Sequence, residues 1–94
     1  MSHDDETVND LFDLTDGTCF YCEKSISVKN YGRVGERGAF EVDHFIPVSR
    51  GGDDEFENWV PACVDCNTRK ADLMPWEFMP DDFVKDDWDS RNYL

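Results

Sequence analysis

Near the start of the chain Val8, Leu11, Phe12 and Leu14 recur at helical spacing within an acidic stretch, which predicts a short amphipathic helix covering a core. Thr7 stands in the N-cap position, with Asp10 three residues on. The period then changes. In AFEVDHFIPV, residues 39–48, Phe40 and Val42 alternate with polar residues until Pro47, which predicts a strand of about five residues ending at Asp43 and His44. NWVPAC, residues 58–63, predicts a second short strand limited by Pro61. CVDCNTRKADLM, residues 63–74, predicts a helix that begins near the second cysteine pair, Cys63 and Cys66, and ends before Pro75. VKNYGRVGERGAF, residues 28–40, interleaves three glycines with basic residues and predicts a hairpin or mobile loop whose tip can approach a polyanion. Beyond Pro75, Phe83, Val84 and Trp88 are expected to pack back on the domain.

Strand, loop, strand, helix makes an α+β chain: a β-hairpin packed on one helix, with short flanking helices. The expected organisation is an acidic N-terminal segment at 1–18, a core at 19–74 and an acidic, aromatic C-terminal segment at 75–94. At 94 residues such a domain buries too little apolar surface to be comfortably stable without a crosslink or ligand. The hydrophobic fraction is 39% and the aromatic fraction 14%, a composition that folds. No apolar run reaches membrane-spanning length, and MSHDDETVND lacks the basic and apolar regions of a secretory signal, so a cytoplasmic location is expected.

The cysteines change the picture. Cys19 and Cys22 form one C-x-x-C pair and Cys63 and Cys66 another, 40 residues apart. A reducing cytosol disfavours disulfides, two pairs disfavour a redox dithiol, and four thiolates in tetrahedral array suit a structural zinc ion. A rubredoxin-like iron site stays open. The spacer is longer than that of a simple zinc ribbon and must fold as something of its own.

The formal charge of −13 looks wrong for a nucleic-acid partner until it is divided along the chain. Residues 1–18 contribute −6, residues 71–94 contribute −5, and residues 19–70 only −2. The middle holds Lys24, Lys29, Arg33, Arg37, Arg50, Arg69 and Lys70, all possible phosphate contacts.

Residues 43–70, DHFIPVSRGGDDEFENWVPACVDCNTRK, resemble the HNH nuclease family, whose signature runs Asp-His, a Pro-Ser-Gly loop, an internal Asn, then Cys-x-x-Cys-Asn and a basic residue. The resemblance implies a small zinc-stabilised ββα-metal fold and covers residues 19–70 when the first cysteine pair is included. It implies that Asp43 and Asn67 hold one catalytic divalent ion while His44 faces the nucleophile. Elementary chemistry agrees: a neutral imidazole can take a proton from water, and oxygen ligands suit Mg²⁺ or Mn²⁺. Asn58 is expected to tie the Ser49–Asp53 loop to the strand pair without taking part in chemistry. Arg69 and Lys70, and less strongly Arg50, are expected to contact backbone phosphates. His3 is given no role.

The reading is therefore a metal-dependent endonuclease that nicks or cuts DNA. The alternative is a zinc-supported nucleic-acid or protein binding module, inactive alone or working only within a partner complex. A DNA-mimicking acidic protein is disfavoured by the intact Asp-His, Asn, Asn set. The acidity admits two explanations. A high-salt cytoplasm would screen the flanks, and 15 of the 22 acids being Asp suits it; otherwise the acidic flanks dock on a basic protein partner. Cutting both strands would require a second site, commonly by homodimerisation.

Overall fold

Asp4, in extended conformation, accepts the Thr7 N–H at 2.9 Å and caps a ten-residue helix, α1 (Asp5–Leu14). The cap thus falls on Asp4 rather than on Thr7, which lies in the first turn as the donor. Asp5 and Glu6 beside it complement the helix dipole. The computed structural model describes residues 4–83. Val84 and Trp88, expected to pack back on the core, lie outside the described residues, as does His3. Val8 and Leu11 carry the buried stripe of α1, whereas Leu14 is exposed. Gly17 follows the helix with φ +78°, and a Cβ there would meet the Phe12 ring at 2.8 Å, so a side chain would both strain the backbone and displace the ring.

The hairpin consists of β1 (Phe40–His44) and β2 (Trp59–Cys63), antiparallel, with Phe40 opposite Cys63 and His44 opposite Trp59. In β2 four consecutive residues, Val60 to Cys63, are buried. Both faces of this strand are therefore covered, and the alternation expected of a half-exposed strand is absent. Pro61 is tolerated because a two-stranded sheet has only edges. Its carbonyl accepts the Phe20 N–H at 2.8 Å, which fastens the first cysteine pair to β2.

Cys63 closes β2 and caps the next helix, α2 (Val64–Lys70). That helix stops at Ala71, whose φ is +48°, several residues short of the end expected before Pro75. A separate four-residue helix, α3 (Pro75–Phe78), follows, with proline in its first turn and Glu77 accepting the Met74 N–H at 2.9 Å. α2 packs on both strands and α1 on β2. Phe83 returns to the core and stacks on Phe20 at 5.8 Å.

The loop between the strands is locked by Asn58, which is fully buried. Its Oδ1 accepts the Ile46 N–H at 2.8 Å, and its Nδ2 donates to the Ile46 and Asp53 carbonyls, each at 2.8 Å. Gly52 packs so closely here that a Cβ would sit 1.8 Å from the Ile46 oxygen. Asn58→Ala would strip partners from these buried backbone groups and is expected to destabilise the folded chain by roughly 2–3 kcal/mol. Asn58→Asp should not rescue it, because a carboxylate would face two carbonyls. Urea unfolding of the metal-loaded protein measures both.

Candidate active site and metal centre

The two cysteine pairs meet because Phe20 hydrogen-bonds across to β2 and Cys63 stands at the junction of β2 and α2. The four sulfurs lie within 4.8 Å of one another. Cys22 Sγ and Cys63 Sγ are 3.8 Å apart, matching the edge of about 3.8 Å of a tetrahedron with zinc–sulfur bonds of about 2.3 Å. Each pair also turns a backbone N–H on its own first sulfur: Tyr21 N–H to Cys19 and Cys66 N–H to Cys63, both at 3.4 Å. The donor set therefore fits a zinc ion. Burial pushes the Cys63 and Cys66 thiols up. Burial also raises Cys19, but backbone N–H donors from Cys22, Cys63 and Tyr21 outweigh it and leave that thiol below its ordinary value.

Asp43 is 6% exposed, an unusual position for a carboxylate. The Tyr21 hydroxyl donates to its Oδ2 at 2.5 Å, and Lys70 Nζ stands 3.2 Å from the same oxygen. Its other oxygen, Oδ1, has no hydrogen-bond partner among the described residues, yet no buried polar atom is left unsatisfied, so Oδ1 reaches solvent. Burial pushes the Asp43 carboxyl up against the opposing charge of Lys70, and pushes the Lys70 ammonium down against that of Asp43. Burial and the Asp43 charge hold the Tyr21 hydroxyl well above its ordinary range, so it remains a donor.

Lys70 also donates to the His44 carbonyl at 3.0 Å and is 0% exposed. The expectation that Lys70 contacts DNA is therefore corrected: its ammonium is sealed beneath the hairpin. The reason is helical geometry. Lys70 ends α2 on the face that meets β1, where it reaches Asp43 and the His44 carbonyl. Asn67 itself is half-buried, and its carboxamide makes no hydrogen bond among the described residues. Asn67 and Asp43 thus stand on two elements in contact, each with an oxygen unclaimed by the protein. Arg50 pairs with Glu77, and Arg69 with Asp65 at 3.4 Å, so both exposed arginines already have carboxylate partners.

His44 ends β1 with its side chain 33% exposed. Its Nε2 lies 2.8 Å from Asp54 Oδ1, and the same oxygen accepts Trp59 Nε1–H at 3.1 Å. An ionised carboxylate can only accept, so Nε2 carries the hydrogen and Nδ1 of the neutral ring holds the lone pair. Asp54 escaped the sequence reading because the acid-rich loop looked like a solvated turn. The available signal was the register: a hairpin that sets Trp59 opposite His44 returns the end of this loop to the histidine.

A family model described as HNH endonuclease matches residues 19–73. The chain belongs to the HNH endonuclease family. The match begins at the first cysteine of the zinc-capable cluster and ends just after α2. The HNH unit thus contains the whole hairpin, the helix bearing Asn67 and all four sulfurs. Among the described residues no helix is long and apolar enough to cross a membrane.

The cysteine geometry yields a test of the metal centre. Purified protein is expected to hold one zinc per chain by elemental analysis, and its removal by a chelator should abolish the cooperative folding transition seen by circular dichroism. Because ligation requires thiolates and burial favours the thiol at Cys63 and Cys66, zinc affinity should fall as pH is lowered.

Proposed function

We propose that this chain is a metal-dependent endonuclease that hydrolyses DNA phosphodiester bonds, with His44 as general base. The observation carrying this reading, within a family of nucleases, is the half-exposed His44 held through Nε2 by Asp54, next in sequence to a carboxylate with one oxygen open to solvent. Asp43 and Asn67 would hold a magnesium or manganese ion, and such an ion, when bound, neutralises phosphate charge and stabilises the departing oxygen.

The protein's own groups supply the rest. Asp54 fixes the ring so that Nδ1 is the basic nitrogen, and Nδ1 can take a proton from a water attacking phosphorus. Trp59 shares the Asp54 oxygen and holds that carboxylate toward the histidine. Tyr21 and Lys70 both grip Oδ2 of Asp43, which turns Oδ1 outward. Cys19, Cys22, Cys63 and Cys66 would hold the structural zinc that keeps α2 on the hairpin.

One observation favours a second reading, a zinc-supported binding module without activity of its own: the Asp43 charge already has a counterion in Lys70. Incubating supercoiled plasmid with magnesium or manganese separates the two. Wild type is expected to nick, and His44→Ala to be slower by roughly 10² to 10⁴; equal nicking by both proteins would remove the enzyme assignment.

Asp54→Ala is expected to lower kcat by about 10- to 100-fold, a part of the general-base contribution, with KM little changed. In a His44→Ala background the same change should have no further effect, since the two residues act as a unit. Single-turnover cleavage of a labelled duplex measures both.

A further inference from the structure

Seven lysines and arginines fall among the described residues: Lys24, Lys29, Arg33, Arg37, Arg50, Arg69 and Lys70. Folding sorts them into two groups. Arg50, Arg69 and Lys70 each face a carboxylate, at Glu77, Asp65 and Asp43. The other four form no ion pair among the described residues, and all belong to the segment before β1. Three of them, Lys29, Arg33 and Arg37, line an open cleft of about 670 Å³. Glu36 is the one acid in that lining, so the cleft carries a net positive charge on a chain of −13.

We propose that this cleft is a docking site for the phosphate backbone of double-stranded DNA, with Lys29, Arg33 and Arg37 as its cations. The choice of DNA rests on the endonuclease reading; the anion-binding character rests on the cleft alone. Ser25, Ser27 and Asn30 add neutral polar groups to the lining, the donor types that accompany cations at phosphates.

The cleft is built rather than a chance of loose chain. Asn30 Nδ2 donates to the Arg37 carbonyl at 2.7 Å, drawing the two ends of the basic stretch together. The Arg33 N–H bonds the Asn30 carbonyl and the Glu36 N–H the Arg33 carbonyl, each at 3.0 Å, so two successive turns present the arginines. The Gly32 N–H bonds Phe40 at 2.9 Å and the Tyr31 ring packs on Phe40 at 5.5 Å, anchoring the segment to β1. At Gly38, φ is +76° and a Cβ would stand 2.9 Å from the Ser27 nitrogen, so the rim closes only with glycine there. Such anchoring lowers the ordering cost that long cationic side chains on a loose loop would incur.

Position supports the assignment. The cleft lining ends at Gly38, two residues before β1, and His44 is the last residue of that strand. Four residue steps of strand span about 13 Å, the rise of roughly four base pairs at about 3.4 Å each. A duplex of one helical turn is longer than the strand that separates the cleft from the histidine.

The test measures binding of the zinc-loaded chain to a fluorescent duplex without added magnesium, by anisotropy, across roughly 50 to 200 mM salt. Three phosphate contacts predict a slope of log affinity on log salt of about −2.7. Replacing the three residues together, Lys29→Gln, Arg33→Gln and Arg37→Gln, should weaken binding by roughly 100-fold and flatten the slope toward zero. Glu36→Gln, which removes the one acid of the lining, should tighten binding by roughly fivefold, the share of one charge in that loss. Circular dichroism and zinc content check that the triple variant folds. Wild-type affinity in the triple variant would overturn the proposal, as would absence of duplex binding by wild type or equal affinity for a mononucleotide. Plasmid nicking reports separately: a chain that binds through the cleft but never nicks would sink the endonuclease reading and leave the cleft standing, whereas nicking with an irrelevant cleft does the reverse.

Discussion

One sulfur joins the parts of this molecule. Cys63 closes β2, caps α2 by accepting the Cys66 N–H, and stands 3.8 Å from Cys22 on the other side of the cluster. A metal ion held there would couple a strand end, a helix start and a knuckle 41 positions away in sequence through bonds stronger than a core of this size can supply. Asn67 is the residue after Cys66 and Lys70 lies one turn further on. Whatever fixes the sulfurs therefore fixes the start of the helix that carries Asn67 and that turns Lys70 onto β1.

The Asp43 pocket follows from the same constraint. A carboxylate is costly to bury unless paired, and α2, held against the hairpin, delivers an equally buried ammonium to it. Removing one partner of such a pair costs about 3–5 kcal/mol because the other is left as an isolated charge. The pairing is asymmetric, with Tyr21 and Lys70 both on Oδ2. A carboxylate oriented through one oxygen keeps the other at a defined place facing solvent. The same contacts that make burial tolerable thus aim the group.

Much of this was legible in the sequence. The C-x-x-C spacing, the alternation broken at Pro47 and the Asp-His to Cys-Asn string gave the hairpin, the helix and the clustered sulfurs. Three features were not. The cap moved from Thr7 to Asp4 because several acids compete for one role in an acidic N-terminus. Lys70 reads as a surface cation by residue type, and only the packing of α2 on β1 turns it inward onto Asp43 and the His44 carbonyl. Asp54 is one of four acids between Gly52 and Asn58, and composition cannot say which of them the loop folds back on His44; the Asn58 clamp decides that.

The charge balance looks different once the chain is folded. Counted by residue, the middle of the sequence is nearly neutral and its bases are spread over some fifty positions. Counted by partner, three described bases are spent on carboxylates, and the unpaired ones gather before β1. Asp53, Glu55 and Glu57, all exposed, remain in the loop that carries Asp54, so the field beside His44 repels a polyanion unless another surface holds it. The acidic helix α1 packs against residues 28–30, which carry Lys29 of the cleft, so at physiological salt, where charges act over about 8 Å, part of the acid excess borders the cations rather than lying remote from them. In the docking proposed above, the cleft would hold the backbone while the acids of α1 and of the loop beside His44 narrow the orientations it can take.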